Sequence, residues 1–230
     1  INHCVTKGLD PNVEMKVCDI EWVSEIPKNW EISKVKFISN RVGDGLHAAP
    51  LFVDQSEFRF VNGNNLISGC IQYFDTTKYV SEEEYKKHFI QLNESTLLLS
   101  INGTIGNVSF YRGEKIILGK SACYINFQKD INVSFIFWLL KSDFVQKYFI
   151  SELSGTTIYN LSLNSIKRTP ILIPPKEEQT RITEYLEKQG SVINKMTIQE
   201  QKKIKLLKEY YQSLISSAVT GKVRITEDML

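Results

Sequence analysis

Cysteine and histidine are scarce in this sequence, and their placement gives no support to metal or redox chemistry. The cysteines are widely scattered and include no Cys-x-x-Cys pair; they are Cys4, Cys18, Cys70 and Cys123. Such spacing indicates neither a zinc site nor a redox motif, so we expect four free thiols. The three histidines stand far apart, and none has an obvious nucleophile beside it. Histidines in this setting are more often structural than catalytic.

The motifs that bind nucleotide cofactors are missing as well. The sequence contains neither Gly-x-x-x-x-Gly-Lys-Ser/Thr nor a Gly-x-Gly-x-x-Gly segment after a strand. It also lacks an Asn/Asp-Pro-Pro-aromatic segment, with which amino-methyltransferases hold a flipped adenine. We therefore expect no cofactor, no metal and no catalytic residue. Such a chain would bind a target and direct the chemistry of another protein.

Long apolar runs are absent too, and no signal peptide is visible. The cytoplasm is therefore the expected compartment. The formal net charge is only +2, which is too small to indicate nucleic-acid binding by itself and leaves a local basic face open. Residue 1 is isoleucine, so we expect the sequence to begin inside a longer reading frame or after processing. The segment 4–10 resembles 218–224, a weak sign of an internal repeat.

One long helix is predicted from Pro174 to Val219. After Pro175 this stretch has no proline, and Gly190 is its single glycine. Proline just inside the start and acidic side chains in the first turn suit a helix N-terminus, where free N–H groups favour negative charge. At about 1.5 Å per residue the helix would be roughly 60 Å long, more than a small domain can cover. Part of it must therefore find a partner.

The apolar positions of this helix predict a coiled-coil seam. They follow a 4-3 spacing with a four-residue slip in the middle; the predicted pairing residues are Ile182, Leu186, Ile193, Met196, Ile204, Leu207, Tyr211 and Leu214. Charged side chains occupy the other faces, as on a solvated or partner-facing surface. We expect the helix to pair with a second long helix. A terminal helix packed on its own domain is the alternative.

The residues before this helix predict a small β-rich domain. Strands are predicted at Phe58–Val61, Thr96–Ile101, 106–111, 115–118, Ala122–Phe127 and Pro170–Ile173, with helices at 81–88 and 134–153. The four strands from Thr96 to Phe127 read as a meander. The predicted fold class is α+β, a small mixed or antiparallel β-rich domain with flanking helices, followed by one long coiled-coil-forming helix.

Two polar loops of this domain are candidate base-reading surfaces. One is the Asn-Gly-Asn-Asn turn after Phe58–Val61, and the other runs from Thr156 to Asn160. Asparagine offers a donor and an acceptor together, as adenine recognition requires, while an arginine can reach guanine or a phosphate. Reversing the chain is the simpler role for an Asn-Gly turn. The candidate DNA contacts are Arg59, Asn62, Asn64, Asn65, Lys120, Thr156, Thr157, Tyr159, Asn160 and Arg168.

Several segments together resemble the specificity subunit of type I restriction-modification enzymes. The resemblance spans nearly all of the chain, and no single segment would carry it. The segments are Val5–Val13 with Met15-Lys16, Ile20-Glu21-Trp22, Ile26–Glu31, Asp44–His47 with Pro50, Ile171–Gln179 and Ala218–Lys222. The most specific combination is Glu-Trp, Ile-Pro and Trp followed by the Pro-Pro-x-x-Glu-Gln start of the helix. The chain is similar to the second half of such a subunit and contains one repeat of the two.

The resemblance implies a division of the chain into four parts. These are a linker ending a preceding conserved region at 1–16, a DNA-binding target-recognition domain at 17–173, a conserved long helix at 174–222 and a tail at 223–230. It also implies the partners, namely double-stranded DNA, methyltransferase (modification) subunits, a restriction subunit, and a second copy or the other half of the specificity subunit through the long helix. In this family each recognition domain reads one half of a split DNA target.

The sequence thus predicts a non-catalytic DNA-recognition and scaffolding module. Two other classes of protein stay open at this point. One is a divergent DNA methyltransferase or nuclease, and the other is a coiled-coil adaptor with no DNA role. Sequence alone gives no target, because loop readers follow no simple code between side chain and base.

Overall fold

The structure is a computed structural model that describes residues 1–155 and 159–222. Two of the candidate contacts, Thr156 and Thr157, and the predicted tail at 223–230 lie outside the described residues. The chain divides into two compact units, Ile1–Thr183 and Glu184–Leu230. The first eight residues of the long helix, which begins at Lys176, therefore belong to the first unit.

Short elements build the first unit. The strands are β1 (Met15–Ile20), β2 (Val23–Pro27), β3 (Glu31–Lys34), β4 (Ser39–Asp44), β5 (Phe52–Val53), β6 (Phe58–Val61), β7 (Leu66–Ile67), β8 (Cys70–Ile71), β9 (Tyr79–Val80), β10 (Thr96–Ser100), β11 (Val108–Phe110), β12 (Ile116–Leu118), β13 (Ala122–Phe127), β14 (Leu153–Ser154), β15 (Asn160–Leu161) and β16 (Pro170–Ile173). The helices are α1 (Asn2–Lys7), α2 (Val35–Ile38), α3 (Glu82–Lys87), α4 (Val133–Leu140), α5 (Asp143–Ser151), α6 (Leu163–Arg168) and α7 (Lys176–Val219), and a 3₁₀ turn covers Gly63–Asn65.

Two four-stranded sheets hold the centre of this unit. The first has the order β11-β10-β13-β4, and its neighbouring strands are antiparallel. The second has the order β12-β6-β9-β5, in which β12 runs parallel to β6. Strand β10 is buried at every position, from Thr96 to Ser100, as a strand covered on both faces should be. The mixed α+β fold class and the long C-terminal helix predicted from sequence are confirmed.

The predicted meander is wrong at one strand. Strand β12 does not pair with its sequence neighbours β11 and β13 but crosses to the second sheet, where Ile117 lies opposite Phe60. All three residues of β12 are buried. A continuous apolar run of this kind suits a strand covered on both faces, and a parallel partner far away in sequence leaves no local signal.

The single helix predicted at 134–153 is instead two helices. The chain leaves the helical conformation at Ser142, whose backbone is extended with φ −72° and ψ 152°. The Ser142 hydroxyl donates to the Leu139 carbonyl at 2.6 Å, and Ser142 precedes Asp143 in the first turn of α5. The Ser142 side chain does not cap α5, but the acidic Asp143 in the first turn suits a helix N-terminus. The continuous apolar pattern of 134–153 does not reveal this break.

The N-terminal segment and the start of α7 are part of the same core. Val5, on α1, is fully buried, although residues 1–16 were predicted as a linker. The indole Nε1 of Trp30, itself fully buried, donates to Oε2 of Glu178 at 3.0 Å. Ile182 is also fully buried. The first turns of α7 are thereby fixed to the β-rich unit by packing and by a charge-assisted hydrogen bond.

In the part of the second unit that the structure describes, α7 runs from Glu184 to Val219 and a short turn follows it. Among the predicted pairing residues of the whole helix, Ile182 and Leu186 are buried, so they are not available to a partner in this conformation. The other six are between 45% and 65% exposed; they are Ile193, Met196, Ile204, Leu207, Tyr211 and Leu214. A row of large exposed apolar side chains on one helix is a feature of a surface that a partner covers.

Candidate nucleic-acid interface

The Asn-Gly-Asn-Asn turn is held by its own side chains. Asn62 and Asn65 form a reciprocal capping pair, in which the Asn62 backbone N–H donates to Oδ1 of Asn65 at 3.0 Å. The Asn65 amide donates to the Gln72 carbonyl at 2.8 Å and to the Thr77 hydroxyl at 3.1 Å. Asn65 is only 3% exposed. Its amide therefore serves the fold, and in this conformation it offers nothing to a ligand.

A second turn, between β12 and β13, is hydrogen-bonded to the first. The Gly63 backbone N–H donates to the Ser121 hydroxyl at 2.9 Å, and that hydroxyl donates to Oδ1 of Asn62 at 3.0 Å. A Cβ on Gly63 would lie 2.6 Å from the Ser121 carbonyl oxygen. Close approach of the two backbones thus requires glycine at this position. Lys120, next to Ser121, is exposed.

Asn160, the last residue of the second predicted loop and the first of β15, reaches the same place. The Asn102 amide lies 3.5 Å from Oδ1 of Asn160, the Leu161 backbone N–H donates to the Ile101 carbonyl at 2.9 Å, and the Ile101 N–H donates to the Ser121 carbonyl at 3.0 Å. We call these turns the asparagine edge; it comprises Asn62–Asn65, Asn102, Lys120, Ser121, Tyr159 and Asn160. Asn64, Lys120 and Tyr159 are its exposed predicted contacts. Residues almost a hundred positions apart are joined on one surface.

Arg59 lies on β6, ahead of the asparagine edge, in an aromatic setting. Its guanidinium carbon lies 4.0 Å from the centroid of the Tyr79 ring and 4.9 Å from that of Tyr73. We call Arg59, Tyr73 and Tyr79 the tyrosine clamp. Burial raises the pKa of Tyr73, with Glu114 adding to the shift and Arg59 opposing it, so the hydroxyl stays protonated near neutral pH. The Arg59 cation therefore lies against the uncharged ring of Tyr73 as well as against the ring of Tyr79 on the neighbouring strand.

Arg168 is placed differently from the other candidates. Its guanidinium donates to Oε2 of Glu152 at 2.9 Å. It lines a separate cleft of about 540 Å³ with Trp22 and Tyr148. A guanidinium already paired with a carboxylate offers less to a phosphate or base. The structure brings the two asparagine-containing loops and Lys120 together and leaves Arg168 on this cleft.

Sequence reasoning missed several residues of this surface. Ser121 bridges the two turns, Thr77 fixes the loop that follows β8, and Tyr73 and Tyr79 flank Arg59. A cross-strand arginine–tyrosine pair could have been found only with the register of β6 and β9, in which Arg59 lies opposite Tyr79. The sequence signal for Ser121 is weaker still, because the position of Ser121 depends on β12, which pairs with β6 in the second sheet.

Chemistry of other kinds finds little support in the described part of the chain. No group of three or more His, Cys, Asp or Glu side chains there could hold a metal ion. All four cysteines are free, and burial raises the pKa of the Cys123 thiol, which makes it unreactive. None of the helices in residues 1–155 and 159–222 is long and apolar enough to cross a membrane.

Comparison with known proteins defines the class of protein. The family model for the type I restriction modification DNA specificity domain matches residues 27–209. The chain therefore belongs to this family. The matched range runs from the end of β2 into the last third of α7, so it includes the asparagine edge, the tyrosine clamp and most of the long helix.

Individual relatives agree with this assignment. The chain is 25% identical over 215 residues to the type I restriction enzyme MjaIX specificity subunit of Methanocaldococcus jannaschii, a match that covers 88% of this chain and 46% of that protein. It is 30% identical over 149 residues to a putative type I restriction enzyme specificity subunit of Haemophilus influenzae, with 60% of this chain and 36% of that protein covered. The chain thus spans about half the length, or less, of the curated relatives it matches.

Solved structures show the same fold. The S subunit of a type I restriction-modification system from M. genitalium superposes with a TM-score of 0.53 at 18% identity, covering 83% of this chain and 46% of that one. A chain from a structural study of assembly and conformational transition in the type I R-M system gives a TM-score of 0.64 at 14% identity, covering 86% and 47%. At these identities the likeness concerns the fold alone.

Proposed function

We propose that this chain is a non-catalytic specificity module of a type I restriction-modification system. In this role the first unit reads one half of a bipartite DNA target, and α7 pairs with a second long helix and carries methyltransferase and restriction subunits. Double-stranded DNA and these subunits are the proposed partners. The chain would supply target choice, and the partner subunits would supply the chemistry.

The asparagine edge is the observation that supports DNA reading most directly. Exposed Asn64 and Lys120 stand on turns that are fixed to each other by part-buried hydrogen bonds and by the close contact at Gly63, and exposed Tyr159 directly precedes β15. An asparagine amide matches the paired donor and acceptor of adenine in the major groove, whereas a lysine ammonium suits a phosphate. A rigid base with exposed polar tips is the usual form of a recognition loop.

The exposed row on α7 supports the scaffolding role. Ile193, Ile204 and Leu207 together with Met196, Tyr211 and Leu214 are largely uncovered in the single chain. Leaving so much apolar surface in water is unfavourable by about 25 cal/mol per Å², so a covering partner is expected. A second long helix of the same kind fits the repeat of the apolar positions.

DNA binding is tested with the full chain assembled with its modification subunits. We expect Asn64→Ala to relax the base preference at one position of the methylated target. Lys120→Ala should instead weaken binding to all DNA sequences alike and reduce the slope of log affinity against log salt concentration by about one. Methylated adenines are mapped by sequencing, and affinities are measured at several salt concentrations. Methylation or cleavage by the chain alone with Mg²⁺ and a methyl donor would favour the enzyme alternative. Complete assemblies without salt-dependent DNA binding would favour the adaptor alternative.

Helix pairing is tested by sedimentation of the purified chain over a range of concentrations. Leu207→Asp would place a charge in a desolvated seam, so we expect it to abolish association. Gln201→Asp, at an exposed position of the same helix, is the matched control. A wild-type chain that stays monomeric at all concentrations, with both variants behaving alike, would contradict self-pairing.

A further inference from the structure

The tyrosine clamp gives Arg59 a setting suited to precise recognition. Within residues 1–155 and 159–222, the ion pairs of the chain do not include Arg59. Its guanidinium instead rests against Tyr79 and Tyr73 at 4.0 and 4.9 Å. Contact with a ring face restricts the side chain but consumes none of its N–H donors. Arg59 is thus held in place while its guanidinium N–H groups stay available for hydrogen bonds to a ligand.

The two rings are fixed by different parts of the fold. Tyr79 lies directly opposite Arg59 in the β6–β9 pair. Tyr73 belongs to the loop after β8, which Asn65 ties down through the Gln72 carbonyl at 2.8 Å and the Thr77 hydroxyl at 3.1 Å. The Gln72 N–H returns a bond to the Asn65 carbonyl at 2.8 Å. Asn65 therefore joins the asparagine edge to the tyrosine clamp.

The surface around the clamp carries side chains of the kinds that contact DNA, together with one exposed carboxylate, that of Asp75. Tyr73 and the adjacent Phe74 are each 42% exposed, and exposed aromatic side chains next to a cation can make apolar contact with base edges such as the thymine methyl. Lys78 in the same loop is exposed and suits a phosphate. Glu114, whose negative charge helps to raise the pKa of Tyr73, accepts a hydrogen bond from the Arg112 backbone N–H at 2.6 Å. Part of the hydrogen-bonding capacity of this carboxylate is therefore already used within the fold.

We propose that Arg59 reads a base with two adjacent acceptors in the major groove, the pattern that guanine O6 and N7 present, and that Asn65 is the positioning residue that holds Tyr73 against it. The proposal rests on the proposed function and adds a base-reading residue and a third loop, 72–78, to the interface. A phosphate needs only a positive charge, which flexible lysines supply. Bidentate contact with guanine needs a planar donor pair held in one orientation, which the clamp provides.

The decisive experiment compares Arg59→Lys with Arg181→Lys in the full chain assembled with its modification subunits. Arg181 is exposed at the start of α7 and serves as a charge-conserving control. Affinities are measured for a duplex carrying the methylated motif and for duplexes with each base pair changed in turn. We expect Arg59→Lys to lose discrimination at one G·C pair by about tenfold or more, since a bidentate pair gives ~1–3 kcal/mol and 1.4 kcal/mol is tenfold. The salt slope should stay unchanged.

The positioning role of Asn65 has its own readout. Tyr73→Ala and Thr77→Val should weaken discrimination at the same base pair as Arg59→Lys, and Tyr73→Phe should not, because it keeps the ring. Thr77→Val removes, with little change in volume, the hydroxyl that accepts hydrogen bonds from both the Asn65 amide and the Phe74 N–H. It therefore loosens the loop that carries Tyr73 while Arg59 itself is unchanged. If Asn65 only stabilises the fold, Tyr73→Ala and Thr77→Val will lower the thermal stability of the chain and leave the base preference at that pair unchanged.

Three outcomes would overturn the inference. If Arg59→Ala weakens every duplex equally and lowers the salt slope by about one, Arg59 contacts a phosphate. If all Arg59 variants bind every duplex like the wild type, the clamp lies outside the interface. In both cases the wild-type assembly still discriminates, so the proposed function survives. A wild-type assembly with no sequence preference would overturn the proposed function and this inference together.

Discussion

Replacing Asn65 by alanine should destabilise the first unit far more than replacing its neighbour Asn64. The Asn65 side chain accepts one hydrogen bond, from the Asn62 N–H at 3.0 Å, and donates two, to the Gln72 carbonyl and the Thr77 hydroxyl. At about 0.5–1.5 kcal/mol each, three bonds amount to about 3 kcal/mol. Their partners are also left poorly satisfied, because the site is 3% exposed. Asn64 is exposed, so Asn64→Ala should change the unfolding free energy by less than about 0.5 kcal/mol.

Urea unfolding followed by tryptophan fluorescence measures this difference. With a slope of about 1–3 kcal/mol per molar urea, a loss of about 3 kcal/mol lowers the midpoint by about 1–3 M. The slope should stay constant, since the change in stability does not require a change in exposed surface. If the midpoints of Asn65→Ala and Asn64→Ala agree within error, the three hydrogen bonds do not anchor the turn and the division between structural and exposed asparagines is refuted.

Two further predictions concern the same unit. Gly63→Ala should cost about 1–3 kcal/mol of unfolding free energy by overpacking, because its Cβ would lie 2.6 Å from the Ser121 carbonyl oxygen; a wild-type urea midpoint would contradict this. A hydrogen bond from Ser165, and then Arg168, lower the pKa of Glu152. This carboxylate therefore stabilises the fold above its unfolded pKa of about 4.3, and the contribution is lost as the pH falls through the folded pKa. Urea midpoints from neutral pH downwards should fall less steeply for Glu152→Gln, and parallel curves would oppose this.

Local signals predicted the elements that depend on local sequence. Strands β6, β13 and β16 occupy the predicted residues, and α7 begins at Lys176, two residues after the predicted start. Ser81 caps α3, accepting the Glu84 N–H at 3.1 Å as its spacing indicates. Alternation, capping and turn residues act within a few positions of each other, so one sequence is enough to read them.

Long-range arrangements were not accessible in the same way. Strand β12 is a short apolar run whose partner, β6, lies more than fifty residues earlier, and periodicity contains no information about such pairing. The site shows the same limit. Asn62 to Asn65 were predicted as one set, but only register and burial separate exposed Asn64 from buried Asn65. The pairing of Arg168 with Glu152 likewise depends on how α6 meets the end of α5.

The structure separates the residues that hold the asparagine edge from those that face outward. Hydrogen bonds inside the fold engage the side chains of Asn62, Asn65 and Ser121. Asn64 and Lys120 lie exposed on the same turns. Exposed side chains away from caps and buried networks change stability little when replaced. The readers of a target can therefore vary without loss of the turn that presents them. For a module whose proposed function is to choose a DNA sequence, this physical separation would allow specificity to change while the fold persists.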